Sequence, residues 1–372
     1  MGKRWVCCKS PGEITMLSIV VGTRPEIIKM SPIIRYCQEK NIEFNIIHTN
    51  QHYSYDMDRI FFEDLNLPEP NFNLEIGSGT PGDQTGKMLS KIETVLMKEK
   101  PGIVLVQGDT NSVLAGALAA SKLHIPVAHV EAGLRSFDRN MPEEINRILT
   151  DHIADYLFAP TNISKENLIH EGIISGVSVV GNTIVDATYQ NLNIANDKST
   201  ILQDLGLKKG DYFLVTLHRA ENVDDKDILS NILSSLSNLS KIYAEPILFP
   251  VHPRTEKMIQ TFNLSSSLNG ITCIKPVGYL DFLVLEGNAR LVLTDSGGVQ
   301  EETCILNIPC VTLRDTTERP ETIDAEKNIL AGREPGTIIS CVKSMFVKKI
   351  SNQNPFGSGD SGKQIVEILT KC

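Results

Sequence analysis

Thr294-Asp295-Ser296-Gly297-Gly298-Val299-Gln300-Glu301-Glu302 follows directly on the apolar run Leu291-Val292-Leu293. The pattern reads as a buried strand, a glycine-containing turn and a helix that starts at the turn. Backbone amides freed at a helix N-terminus point outward, and two residues without Cβ let an anion approach them closely. Glu302 falls one helical turn further on, where a carboxylate can accept ribose hydroxyls. The stretch is therefore a candidate cradle for a phosphorylated ligand. A plain strand–turn–helix, with the glycines serving only the turn, fits it nearly as well. The residues at the other strand ends decide between the two.

Outward from this stretch, short unbroken apolar runs alternate with helical segments along the chain. Leu17-Val21, Phe44-His48, Ile103-Gln107, Val127-Val130, Tyr156-Ala159 and Val177-Val180 read as strands in the first half. Tyr212-Leu217, Pro246-Val251, Ile271-Ile274, Leu291-Leu293 and Cys310-Leu313 repeat the pattern in the second. Unbroken apolar strands separated by helices predict parallel sheets covered on both faces. Residues 68–82, rich in Pro and Gly, read as a solvent-facing loop. Asn191-Thr200 is polar, without apolar periodicity, and reads as a linker. The expected architecture is α/β, with two doubly wound domains at residues 16–190 and 191–372 and a cleft between them. The final helix, Ser361-Lys371, is able to pack back on the first domain. Residues 1–15, which contain the only tryptophan, Trp5, read as an extension outside the fold.

Composition bounds the function. At 372 residues, two domains are the natural expectation. A net charge of −9 and a pI near 5.5 argue against nucleic acid or an anionic membrane as partner. An anionic ligand then needs a local cationic pocket. No run of 18 apolar residues predicts a membrane span. The eight cysteines show no C-x-x-C spacing and no metal-ligand interval with histidine, which suits a reducing cytoplasm. There is no G-x-G-x-x-G after the first strand, no Walker A sequence and no G-x-S-x-G elbow.

In open parallel sheets the ligand lies beyond the carboxyl ends of the strands. Those positions here hold Gly22-Thr23-Arg24, Gln107-Gly108-Asp109-Thr110, Glu131-Ala132-Gly133, His218-Arg219, His252-Pro253-Arg254, Asp295-Ser296-Gly297-Gly298 and residues 314–321. Arg24, Lys29, Arg219, His252, Arg254 and Arg319 are the cations available for a diphosphate. Each helix-dipole contribution is only about 0.3–1 kcal/mol when exposed, so several groups must converge. Asp109, Glu131 and Glu143 form a set of carboxylates, with His218 a further titratable group. Carboxylates near a diphosphate repel it, so their presence points to proton transfer at a neighbouring centre. Each acid alone has a structural reading: Asp109 as an N-cap, Glu143 and Glu144 as first-turn acids. All of them being structural at successive strand ends is much less expected.

Seven motifs together resemble one family. They are Gly22-Thr23-Arg24-Pro25-Glu26-Ile27-Ile28-Lys29, Gln107-Gly108-Asp109-Thr110, His129-Val130-Glu131-Ala132-Gly133-Leu134-Arg135, Met141-Pro142-Glu143-Glu144-Ile145-Asn146-Arg147, Thr216-Leu217-His218-Arg219-Ala220-Glu221-Asn222, Thr294-Asp295-Ser296-Gly297-Gly298 and Thr317-Glu318-Arg319-Pro320-Glu321. In this order they resemble the non-hydrolysing UDP-N-acetylglucosamine 2-epimerases from Met16 to the chain end. The resemblance implies two Rossmann-like domains arranged as in GT-B glycosyltransferases, with the active site in the interdomain cleft. It implies conversion of UDP-N-acetylglucosamine to UDP-N-acetylmannosamine by elimination and re-addition of UDP. By matching position, Asp109, Glu131, Glu143 and His218 are the catalytic set. Ser296, Gly297 and Gly298 hold the diphosphate with Arg24, Lys29, His252 and Arg319; Glu302 takes the ribose and Phe282 the uracil. No nicotinamide and no catalytic metal are implied, and the family suggests a homodimer.

One departure stands out. Many bacterial members carry Thr-Gly-Gln-His after the second strand, linked there to activation by a second UDP-N-acetylglucosamine. This chain reads Thr49-Asn50-Gln51-His52, keeping Gln51 and His52 but replacing the glycine, so the allosteric role does not carry over intact. Two other readings compete: a hydrolysing 2-epimerase that releases N-acetylmannosamine and UDP, and a GT-B glycosyltransferase using the same donor.

Overall fold

The computed structural model describes residues 16–50 and 55–371; residues 1–15, Gln51 and His52 lie outside the described residues. Seven strands form the first sheet: β1 (Leu17–Val21), β2 (Phe44–His48), β3 (Phe72–Asn73), β4 (Ile103–Gln107), β5 (Val127–Val130), β6 (Tyr156–Ala159) and β7 (Val177–Val179). Six form the second: β8 (Phe213–Thr216), β9 (Ile247–Pro250), β10 (Ile271–Ile274), β11 (Leu291–Thr294), β12 (Cys310–Thr312) and β13 (Asn328–Leu330). The orders are β3-β2-β1-β4-β5-β6-β7 and β10-β9-β8-β11-β12-β13, and every pairing is parallel. β1 and β4 are buried at every residue, as strands covered by helices on both faces must be.

This strand order places one switch point in each sheet, between β1 and β4 and between β8 and β11. There the crossovers diverge and a crevice opens at the carboxyl ends. Register then selects the residues that meet. Leu17 pairs with Ile103 and Ile19 with Leu105, so the turn after β1 lies beside the turn after β4. Thr216 pairs with Thr294, so His218 and Asp295 emerge as neighbours.

The chain divides into two compact units. One comprises the described residues through Ala187 together with those from Gly357 on; the other is Thr188–Phe356. The chain-end helix Ser361–Thr370 belongs to the first unit. Asp186 accepts the amides of Ser361 and Gly362 at 3.2 and 3.0 Å, and Tyr36 donates to Glu367 at 3.0 Å.

Local sequence explains most elements. In the helix Arg24–Lys40, Thr23 and Glu26 form a capping box, Pro25 sits in the first turn, and Ile27, Met30, Ile33, Ile34 and Cys37 are buried. Asn191-Thr200, read as linker, is instead largely the end of the helix Thr183–Lys198, which buries Asn191 and Ala195. Three elements carry little sequence signal. β3 is two residues long inside the expected loop, and its neighbour Asn71 accepts the Ile46 amide at 2.9 Å. β13 follows the buried Lys327, whose ammonium is satisfied by the Cys304 carbonyl at 3.0 Å and by Asn307 at 2.6 Å. The helix Pro335–Val347 covers the second sheet through Ile338, Val342 and Met345.

Candidate active site

The switch point of the first unit gathers acids. Glu26 is buried at the start of its helix, where its carboxylate accepts the amides of Gly22 and Thr23 at 2.5 and 2.9 Å and the Thr110 hydroxyl. Burial is the main influence and pushes its pKa up to about 7, against these three donors and with Asp109 adding to the rise. Asp109 follows β4, its Oδ2 held by Nε and Nη2 of Arg147 at 3.0 and 2.6 Å. Asn146 donates to the Asp109 carbonyl at 2.8 Å.

Glu131 follows β5 with a left-handed backbone, φ 69°, and a buried side chain. Its carboxylate accepts the Lys29 ammonium at 2.7 Å, the Asn182 amide at 2.9 Å and the Gln107 side chain. Lys29, counted among the diphosphate cations on sequence, is thus ion-paired with the acid set. Nearby, Gly133 needs its φ of 79° and its lack of Cβ, since a Cβ would stand 2.2 Å from the Ser164 carbonyl oxygen.

Glu143 and Glu144 part company in the first turn of the helix Pro142–Ile153. Glu143 is exposed. Glu144 is buried and anchors the preceding loop, accepting the amides of Ser136 and Phe137, both at 2.9 Å, and Arg147 at 2.7 Å. Arg24 begins its helix with its guanidinium 5.4 Å from the Phe61 ring centre. Asn50 adopts φ 54°, a left-handed backbone that asparagine tolerates better than most residues other than glycine.

The switch point of the second unit pairs His218 with Asp295. Nδ1 of His218 lies 3.1 Å from the Asp295 carboxylate, which also accepts the His218 and Arg219 amides at 3.0 and 2.8 Å and Asn222 at 3.1 Å. Burial pushes Asp295 up, but the bond and charge of His218 and the two amides outweigh it and hold it below its ordinary value. It is therefore an anion that orients His218. The His252 ring lies 5.8 Å from that of His218 and accepts the Arg254 amide at Nδ1, 3.2 Å. Burial first, then His218 and Arg254, push its pKa down, which favours the neutral ring.

Ser296 occupies the N-cap position of the helix Gly297–Leu306 without a side-chain capping bond. Neither glycine has positive φ, and a Cβ on either would meet nothing nearer than 4.0 Å. The backbone does not require glycine here; what the pair leaves open is the approach to the helix amides. Arg319 is ion-paired with Glu301 at 2.9 Å, and Arg254 with Asp224 at 3.0 Å. Both cations named from sequence therefore already hold carboxylate partners. Phe282 is half-buried against the Tyr212–Leu214–Leu248 cluster. Glu302 is buried, accepts the Tyr279 hydroxyl at 3.1 Å and faces Glu286. Burial, then Glu302, push Glu286 well above its ordinary value.

Sequence reasoning named the ends of the strands but not Glu26, Arg147, Asn182, Asp295 or Glu286 as site residues. Of these only Glu26 and Asp295 carried a usable signal, a capping box and a strand-end acid. Among the described residues, no group of three His, Cys, Asp or Glu side chains is arranged to hold a metal ion, and no helix is long and apolar enough to cross a membrane.

Two parallel α/β units, one presenting carboxylates and the other a helix N-terminus with histidines at its switch point, define a two-domain α/β enzyme of nucleotide-sugar type. Residues 35–370 match the family model described as UDP-N-acetylglucosamine 2-epimerase, and the chain belongs to that family. It is 62% identical over 360 residues to the UDP-N-acetylglucosamine 2-epimerase of Methanocaldococcus jannaschii, covering 95% of this chain and 98% of the relative. It is 58% identical over 359 residues to that of Methanococcus maripaludis, with coverage of 95% and 98%. A crystal structure of the M. jannaschii enzyme in complex with UDP-GlcNAc and UDP superposes with TM-score 0.83 at 61% identity, covering 96% of this chain and all of that one.

Proposed function

We propose that this chain interconverts UDP-N-acetylglucosamine and UDP-N-acetylmannosamine by eliminating UDP and adding it back. The observation that carries the reading is the division of labour at the two switch points of a chain in this family. The first unit, through Asp109, Glu131 and Glu143, handles protons; the second, through Ser296, Gly297, Gly298 and Glu302, holds UDP.

The chemistry needs both. The C2 proton is not adjacent to a carbonyl, so its removal is coupled to departure of UDP from C1. A base takes the proton, the C2 electrons form the C1–C2 double bond of the 2-acetamidoglucal, and the C1–O bond breaks to release UDP. Oxocarbenium character at C1 is stabilised by the carboxylates. Return requires a proton delivered to the opposite face of C2 as UDP re-forms the C1–O bond. Two proton-handling groups are therefore needed, drawn from Asp109, Glu131, Glu143 and His218. Arg24 and His252 assist the diphosphate, and Phe282 packs on uracil. The five free cysteines among the described residues suit a reducing compartment, so we assign the enzyme to the cytoplasm. We further assign it as a homodimer, which light scattering after size exclusion tests directly.

Incubation with UDP-N-acetylglucosamine in deuterated water, followed by proton NMR, tests the reading. The expected result is UDP-N-acetylmannosamine with C2 deuterium in both epimers and little free UDP. Stoichiometric UDP with free N-acetylmannosamine would mean hydrolysis. No change without an added acceptor would mean a transferase. Asp109→Asn and Glu131→Gln are expected to keep UDP binding and lose most turnover; near-normal rates in either would remove that residue from the catalytic set.

A further inference from the structure

His129 opens the motif that contains Glu131, yet none of the roles above uses it. Its side chain is fully buried on β5. Nδ1 lies 2.7 Å from the Asp151 carboxylate, and Nε2 lies 2.8 Å from the Gly108 carbonyl oxygen. Both partners are acceptors. A backbone carbonyl has no proton to give. Asp151 in turn takes the Arg135 guanidinium at 2.8 Å and the Gly133 amide at 3.1 Å, contacts that favour its ionised form.

A neutral imidazole has one donor and one acceptor nitrogen. Either tautomer would set a lone pair against an oxygen lone pair in a site without water access. Only the doubly protonated ring satisfies both contacts. Charge balance agrees. Arg135 also holds Glu171 through Nε and Nη2 at 2.7 and 2.6 Å, so a charged His129 completes a set of two cations and two anions.

We propose that His129 is held as an imidazolium and is a positioning residue for the two turns that carry the proton-handling acids. Through Gly108 it holds the turn leading to Asp109; through Asp151 and the Gly133 amide it holds the turn that begins at Glu131. In the second turn Glu131, at φ 69°, is a non-glycine residue in the left-handed region, a strained backbone that persists only where its surroundings hold it; Gly108 and Gly133 take their positive φ without strain. This role rests on the reading that Asp109 and Glu131 act on the substrate.

The groups that face the ring are few. Asp151 comes from the helix Pro142–Ile153, and Glu131 from the end of its own strand, itself paired with Lys29. Arg135 and Glu171 stand behind Asp151. Its register neighbours on β4 and β6, Val106 and Leu157, are uncharged. Burial works to lower the ring's pKa, but Asp151, the Gly108 carbonyl and Glu131 outweigh it and the net direction is upward.

The test begins with long-range proton–nitrogen correlation on the full chain carrying nitrogen-15 histidine. The His129 ring is assigned by its loss in His129→Gln or, should that variant not fold, by its displacement in Asp151→Asn. Both ring nitrogens are expected to be protonated at and above neutral pH; an unprotonated nitrogen there overturns the proposal. In turnover, His129→Gln is expected to lower kcat about a hundredfold with little change in KM, the usual scale for reacting groups misplaced by about 1 Å. An unchanged kcat overturns the positioning role. Asp151→Asn is expected to move the alkaline limb of kcat to lower pH, and a limb that does not move counts against it. Asp109→Asn and Glu131→Gln assayed alongside separate the two readings. If those variants keep turnover, the acid assignment falls and the positioning role with it, while the NMR still reports the ring's charge.

Discussion

The ammonium of Lys29 lies 2.7 Å from Oε1 of Glu131, both side chains being largely buried. The cation comes from the first helix and the acid from the turn after the fifth strand. Under the proposed function, the pair aims the carboxylate that exchanges the C2 proton. Lys29→Met removes the cation and leaves an uncompensated buried carboxylate. We expect a loss of about 3–5 kcal/mol in urea unfolding, together with a fall in kcat. A variant of unchanged stability would show that the pair is not formed in solution.

Asp295 orients His218, and its other bonds hold the adjoining turn. Asp295→Asn keeps the shape but replaces one acceptor oxygen by a donor facing backbone amides. Turnover is expected to fall by about 10²–10⁴, the range for a positioned acid–base group, with stability lower by about 1–3 kcal/mol. UDP affinity by calorimetric titration is expected to change far less than kcat. Equal losses in both would reassign Asp295 to nucleotide binding.

Glu286 is a carboxyl whose folded pKa is raised. Its neutral form favours folding, so its contribution is complete below the unfolded value of about 4.3 and declines as pH rises through the folded value. Glu286→Gln keeps a donor facing Glu302 and never ionises. The variant is therefore expected to match the wild type near pH 4 and to gain in thermal midpoint as pH rises well above about 4.3. A variant less stable across that range would mean that the folded pKa of Glu286 is not raised.

The His129–Asp151 contact bounds stability on both sides in pH. His129 is raised, so its stabilisation is complete below about 6.5 and is lost as pH climbs through the folded value. Asp151 is lowered, because His129 and Arg135 outweigh burial, so its share is present above about 3.9 and is lost as pH falls through its folded value. Urea midpoints across pH should show a plateau with an alkaline shoulder that His129→Gln abolishes. A shoulder that persists in the variant would assign it to another group.

The elements that read well from sequence are those whose signal is local. β1 and β4 are five-residue apolar runs, and the helix Arg24–Lys40 carries its own capping box and proline. The two-residue β3 and the three-residue β13 carry no such pattern and exist through their neighbours, Ile47 and Val311. The same contrast holds in the site. Asp109, Glu131 and His218 were legible as strand-end acids and histidine. Glu286 was not, since a lone glutamate in the apolar helix Tyr279–Asn288 shows its meaning only when Glu302 is found beside it.

The order of apolar runs and the chemistry at their ends were enough to determine two doubly wound sheets and the strand ends where candidate residues gather, because parallel strands bring their carboxyl ends to one edge of each sheet. Partnership was decided by tertiary structure alone. Lys29 meets Glu131 across 102 positions and His218 meets Asp295 across 77, through strand order and register that no local stretch encodes. That pairing turned one expected diphosphate cation into the counter-ion of an acid, and gave the histidine after the eighth strand a buried carboxylate partner.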